Sequence, residues 1–176
     1  FFYDVRQLND GTGISLKLRS IVGLIPMFAV EVVEHDMLEK MPKFKARMDW
    51  ILKNKEELAN LVSHWEVEGK GRKHLMSILR KNRLTKILNR MLDEKEFLSE
   101  FGIRSMSKTY EEKPFQLEIN GINHVVHYTP AESDSRMFGG NSNWRGPIWF
   151  PINFLIVESL QRFHFYYDNS LKVELP

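Results

Sequence analysis

The sequence predicts a mainly α chain with a β-hairpin inserted ahead of a long final helix. Two observations carry that expectation. Apolar residues recur at helical spacing between Phe44 and Leu92, and two short alternating runs meet at Asn120-Gly121. No regular strand–helix–strand alternation, the mark of a parallel sheet, is visible.

The elements follow in order. Residues 1–19 read as a hairpin or extended segment around the turn formers Asn9-Asp10-Gly11-Thr12-Gly13. Pro26 is placed to open a helix running to Leu38, with Met27, Val30 and Glu34 on successive turns. Phe44, Met48, Ile51 and Leu52 fall at i, i+4, i+7 and i+8, which predicts an amphipathic helix from Pro42. Leu58, Leu61, Val62 and Trp65 continue the pattern until Gly69-Lys70-Gly71 breaks it. Leu84, Ile87, Leu88, Met91 and Leu92 form a further stripe, and Asp93-x-x-Glu96 predicts a capping box for a short helix that Gly102 stops. Phe115, Leu117 and Ile119 alternate before Asn120-Gly121, and Ile122, His124, Val126 and Tyr128 after it, so a two-residue hairpin is expected at about 115–128. Pro151 suits the first turn of a helix with core positions Ile152, Leu155, Ile156, Leu160 and Phe163.

Composition then narrows the function. A length of 176 residues suits one domain or part of a larger one, and 43% hydrophobic with 27% charged residues excludes a disordered or collagen-like chain. No apolar run approaches the roughly 18 residues of a membrane span, so no membrane partner is expected. The absence of cysteine removes disulfides, thiolate ligands and cysteine nucleophiles, and it fits a reducing, cytoplasmic setting. Phe1-Phe2-Tyr3-Asp4-Val5 reads as a strand entered midway, without the order of a secretory signal, so an excised piece of a longer polypeptide is expected.

A net charge of +2 hides one asymmetry. Lys70, Arg72, Lys73, Arg80, Lys81, Arg83, Lys86 and Arg90 lie in a stretch without Asp or Glu. Such a block can neutralise nucleic-acid phosphates, but it contains no aromatic residue on which bases would stack. Arg83, Lys86 and Arg90 also fall where an amphipathic helix shows its wet side. A solvated helix face is therefore favoured over nucleic acid as a partner, and a helical nucleic-acid-binding module stays as an alternative. Of the six histidines, His124 and His127 are the closest pair, yet an odd offset puts them on opposite faces of a strand. No His-x-x-x-His pair exists, and neither metal nor cofactor is expected. A G-x-S-x-G elbow is missing, and Gly69-Lys70-Gly71-Arg72 lacks the spacing of a phosphate loop.

The richest chemistry lies between Glu132 and Trp149. Carboxylates, amides, a guanidinium and two indoles share eighteen residues that Gly139, Gly140, Gly146 and Pro147 shape into a loop. Indole faces meet the C–H side of a pyranose, while carboxylate, amide and guanidinium groups exchange hydrogen bonds with hydroxyls. Trp144, Arg145, Asn143, Trp149, Asp134 and Glu132 are thus the expected sugar-binding residues. The competing reading is a Trp–Arg stack that only closes a helix start.

The run Trp144-Arg145-Gly146-Pro147-Ile148-Trp149, followed by Asn153-Phe154-Leu155, resembles the W-R-G-P-x-W-x-x-x-N-[YF]-L signature of glycoside hydrolase family 63. Leu18–Ala29 and Phe101–Ser107 are similar to stretches of a microbial branch of that family. The resemblance implies part of an (α/α)6 toroid with the β-hairpin inserted, from the C-terminal side of a catalytic domain spanning residues 1–176. It also implies inverting hydrolysis of α-glucosidic bonds in an oligosaccharide or glucoside, without a cofactor. The general acid is then expected before Phe1 and the general base after Pro176. The chain alone would be inactive, with the rest of the parent polypeptide as its partner. Glu132 and Asp134 read as binding or loop-bracing groups, and Glu158 as an i, i+4 partner of Arg162. Tyr167-Asp168-Asn169 departs from the Tyr-Gly expected there. A catalytically silent carbohydrate-binding or assembly domain stays as a further alternative, and exposed helix faces make self-association an expectation.

Overall fold

The computed structural model describes residues 1–61, 65, 67–69, 71–130 and 147–175. In chain order these form β1 (Asp4–Gln7), β2 (Gly13–Leu16), a 3-10 segment (Ile21–Phe28), β3 (Val30–Glu34), α1 (His35–Lys40), α2 (Pro42–Asn54), α3 (Glu56–Leu61), β4 (Lys73–Ser77) and α4 (Lys81–Met91). After them come β5 (Leu98–Ser99), β6 (Gly102–Ile103), β7 (Phe115–Ile119), β8 (Ile122–Val126) and α5 (Phe150–Tyr167). The strands pair as four two-stranded antiparallel sheets, β1-β2, β3-β4, β5-β6 and β7-β8. Less than half of the described residues are helical, so a mixed α/β architecture replaces the mainly α toroid segment that the sequence suggested. Two compact units arise: Phe1–Ile25 with Lys86–Asn153 and Glu174–Pro176, and Pro26–Thr85 with Phe154–Val173.

In the first unit, Asp10 Oδ1 accepts bonds from the Thr12 amide (2.9 Å) and hydroxyl (2.6 Å), which ties the β1–β2 turn. Those bonds hold the Asp10 carboxyl below its usual pKa. β7 and β8 pair from Phe115↔Val126 to Ile119↔Ile122, around Asn120 and Gly121, both at positive φ. This is the conformation for which Asn-Gly is selected in two-residue hairpins. Val126 then joins Leu18, Met106 and Tyr110 in a core flanked by Phe115 and Tyr128. Residues 94–97 form turns, not the capped helix expected from Asp93-x-x-Glu96. The Asp93 carboxylate accepts from the Lys95 amide, and Glu96 turns inward to other partners.

In the second unit, the helix expected from Pro26 to Leu38 is absent. Pro26 sits inside the 3-10 segment, and Val30-Glu31-Val32-Val33-Glu34 is a strand, as its β-branched residues prefer. It pairs with β4, a strand inside the basic block, from Val30↔Ser77 to Glu34↔Lys73. α2 opens at Pro42 and buries Met48 against Val33, Leu38 and Trp65. Phe44 and Leu58 are exposed, and Trp65 is buried without belonging to a helix.

α4 and α5 each contribute residues to both units. α4 buries Leu84, Ile87, Leu88 and Met91, as its stripe requires. α5 buries Ile152, Ile156 and Phe163, but Leu155 is exposed, and Ser159, Tyr166 and Tyr167 complete the buried face instead. Its outer face carries exposed Phe150, Phe154 and Val157, so the helix is apolar on more than one side. Arg162 pairs with Glu31 at 2.5 and 2.6 Å, not through the expected i, i+4 contact with Glu158. At the helix exit, Asp168 adopts φ +48°, a conformation that glycine takes most readily. Among the described residues no helix is long and apolar enough to cross a membrane.

Candidate functional site

The segment Gly102–Ser107 is the spine to which parts of the other two family-like stretches attach, through contacts that lie within the first unit. On one side, Ile21 N–H donates to Ser105 O (2.9 Å), Ser107 N–H donates to Arg19 O (3.0 Å), and Ser20 bridges Met106. On the other side, Ser105 N–H donates to Pro147 O (2.9 Å), and Arg104 bridges Ile148. Backbone donors and acceptors of a buried segment that bends at Ser105 must find partners on each side. The 18–21 and 147–149 stretches supply those partners.

Asn153 fixes the third contact. One turn into α5, its Oδ1 accepts from Ile103 N–H (2.7 Å) and its Nδ2 donates to Ile103 O (3.1 Å). The same Nδ2 donates to Trp149 O (3.1 Å), one turn back along the helix. The side-chain amide therefore acts as a short third strand beside β6, joining it to Trp149, two residues past the Trp-Arg-Gly-Pro run. Gly102 permits this approach. It has φ +125°, and a Cβ there would lie 2.8 Å from Asn153 Oδ1.

Behind the spine lies a buried ionic cluster. Glu96 is 8% exposed; its Oε1 accepts from Arg19 Nη1 (2.5 Å) and lies 3.4 Å from Arg90 Nε. Its Oε2 accepts from the buried Ser107 hydroxyl (2.7 Å). Arg90 also donates to Tyr3 Oη (3.2 Å), and the Tyr110 hydroxyl accepts from Arg19 N–H (2.8 Å). Burial pushes the Tyr110 phenol above its usual pKa. Two guanidinium groups and a hydroxyl partner the carboxylate inside the fold. Arg104 is held as well, donating to Glu94 O and Leu98 O.

Residues 73–174 match the family described as "Glycosyl hydrolase family 63 C-terminal domain". The chain belongs to that family. It is 49% identical over its whole length to "Uncharacterized protein YMR196W" of Saccharomyces cerevisiae, and it spans 16% of that protein's length. No solved structure matches it.

Of the six residues expected to bind sugar, Trp149 lies within the described part. It is half-buried just before α5, and its carbonyl accepts from both the Asn153 amide N–H and Nδ2. Glu132, Asp134, Asn143, Trp144 and Arg145 lie outside the described residues. Asn153, part of the quoted signature, was not among the expected functional residues; its i, i+4 offset from Trp149 was the available signal. Several of the basic residues serve internal contacts. Lys73 donates to Phe165 O (3.1 Å), Lys81 to Ser170 O (2.5 Å), Arg72 contacts His35 (2.5 Å), and Arg90 joins the Glu96 cluster. Four of the cations counted toward a nucleic-acid surface thus have partners within the chain.

Proposed function

We propose that the chain contributes part of the sugar-binding wall of an inverting α-glycosidase that cleaves α-glucosidic bonds. The observation that carries this reading is the backbone clamp on the signature: Pro147, Ile148 and Asn153 tie the end of the Trp-Arg-Gly-Pro run to Gly102–Ser105. Anchoring of this kind at Pro147–Asn153 supports indoles and polar groups presented in one arrangement, which a hydroxyl-rich ligand requires. In this reading Trp144 and Trp149 wall the subsite. Arg145 and Asn143 bond sugar hydroxyls, and Asp134 and Glu132 bind or brace the loop. The acid and base that protonate the leaving oxygen and activate water come from elsewhere in the complete protein. The apolar outer face of α5 suits packing against further chain in such an enzyme.

The test is Trp144→Ala in the complete natural protein, assayed on α-glucosides. Loss of an aromatic platform should lower kcat/KM by about 10- to 100-fold, equivalent to 1.4–2.7 kcal/mol of transition-state binding, with unchanged thermal unfolding. Unaltered kinetics would remove the subsite role.

A further inference from the structure

We infer that the second unit carries a binding site for a divalent first-row transition metal, Zn2+ by preference, built from His35, Glu68 and His74. This site is independent of the sugar-binding reading, because none of the three belongs to the signature loop or its spine.

The backbone brings the three together. β3 and β4 pair with Val33 opposite His74, and the ladder continues as His35 N–H donates to Arg72 O (3.0 Å). Across the turn at Gly71 and Arg72, both at positive φ, the chain folds back so that Gly69 bridges Lys73. That register sets Glu68 opposite His74, while His35 lies two residues beyond Val33. Residues opposite one another, or displaced by two, project from the same face of such a ribbon. One ligand atom from each of His35, Glu68 and His74 accordingly lies within 4.8 Å of the others. Tetrahedral Zn2+ with bonds near 2.0 Å sets its ligands about 3.3 Å apart, so modest side-chain rotation closes the set. Glu68, with its side chain 45% exposed, is free to make it.

The protonation pattern favours a cation. His74 Nδ1 lies 2.8 Å from Trp65 O, and a carbonyl only accepts, so Nδ1 carries the hydrogen. His74 Nε2 is left as a buried lone pair with no hydrogen-bond partner. A metal-bound imidazole commonly has this arrangement, with its second nitrogen donating to a backbone carbonyl. The Nδ1 of His35 is likewise buried without a hydrogen-bond partner, 3.9 Å from Glu68 Oε1. Two orphaned imidazole nitrogens beside one carboxylate are costly to leave as they are, and a cation satisfies all three. The group lines a cavity of about 540 Å3 that also reaches Asp49 and Lys45, which gives an ion a route in and leaves a coordination position for water.

Arg72 is the competitor. Its Nη2 lies 2.5 Å from His35 Nε2 and its Nε 3.9 Å from Glu68 Oε2. For His35 Nδ1 to bind metal, Nε2 must carry the hydrogen. Arg72 then withdraws, and Glu39 Oε1, now 3.4 Å away, becomes the acceptor. The Arg72 side chain is 60% exposed and can make that movement.

The experiment titrates the complete natural protein, stripped by chelator, with Zn2+ by calorimetry and with Co2+ by visible absorption and tryptophan quenching. Trp65, 5.2 Å from the His74 ring, reports the metal directly. One equivalent of Zn2+ should bind, with affinity falling at least about tenfold in Glu68→Gln and in His35→Asn. Arg72→Gly, which keeps the positive φ, should tighten binding severalfold. Because Glu68 is exposed, Glu68→Gln keeps the fold and its circular dichroism. Zn2+ binding with wild-type stoichiometry and affinity in both Glu68→Gln and His35→Asn would overturn the site, as would a wild-type protein that binds no Zn2+ at micromolar concentration. Unchanged or weaker binding in Arg72→Gly would overturn the role given to Arg72.

Discussion

Replacing Asn153 with alanine tests the clamp that links the signature to the rest of its unit. The change removes three hydrogen bonds: two to Ile103, a residue 6% exposed, and one to the Trp149 carbonyl. Trp149 O retains the Asn153 backbone N–H at 3.1 Å, so its loss is small. The Ile103 N–H and C=O lose the side chain that satisfies them, and each buried unsatisfied group costs about 1–3 kcal/mol, less where water can enter. A total of about 2–4 kcal/mol follows, large beside the roughly 5–15 kcal/mol that holds a domain folded. Amide hydrogen exchange over 102–107 in the complete natural protein reads this locally. The Arg104 and Ser105 amides keep their own acceptors, Phe97 O and Pro147 O, and so report opening of the segment itself. Their protection should fall by about 30- to 1000-fold, the exchange equivalent of that free energy. Asn153→Asp, which keeps an acceptor for Ile103 N–H but loses both donors, should also open the segment. Wild-type protection at Arg104 and Ser105 in Asn153→Ala would refute the clamp.

Three further outcomes follow from the same contacts. Glu96→Gln leaves Arg19 and Arg90 without their shared carboxylate and should destabilise the first unit by about 2–4 kcal/mol in denaturant unfolding, a buried pair broken from one side. A loss under about 0.5 kcal/mol would show that the cluster is idle. Gly102→Ala must give up φ +125° or push Asn153 away, so it should lower stability by about 2 kcal/mol or more, with little further loss when combined with Asn153→Ala. Full additivity of the two would contradict the shared contact. Asp168→Gly relieves a left-handed residue but also gives up the interaction that Asp168 makes, so thermal unfolding should shift by less than about 1 kcal/mol, whereas a larger loss would show an interaction worth more than the strain.

What the sequence made legible was local. Asn120-Gly121 encodes its turn without help from elsewhere, and the stripes of α2 and α4 specify helices through spacing alone. Pairing between distant segments was hidden. Val30-Glu31-Val32-Val33 carried a strand signal, but its partner Lys73–Ser77 lies forty residues on, inside a block that reads as a basic face. Asp93-x-x-Glu96 obeys a local capping rule that loses to two arginines, one of them far away in sequence. His35, Glu68 and His74 have no metal-ligand spacing, because strand register, not a helical turn, aligns them. The sugar-binding expectation rested on composition, which records which groups share a loop but not how they point.

The most direct measurement is the anomeric form of the glucose released by the complete natural protein from an α-glucoside, followed by proton NMR before mutarotation. An inverting α-glycosidase releases β-glucose first, at a rate that Trp144→Ala sharply lowers. First release of the α-anomer, or no hydrolysis across a panel of α-linked glucosides, would contradict the account.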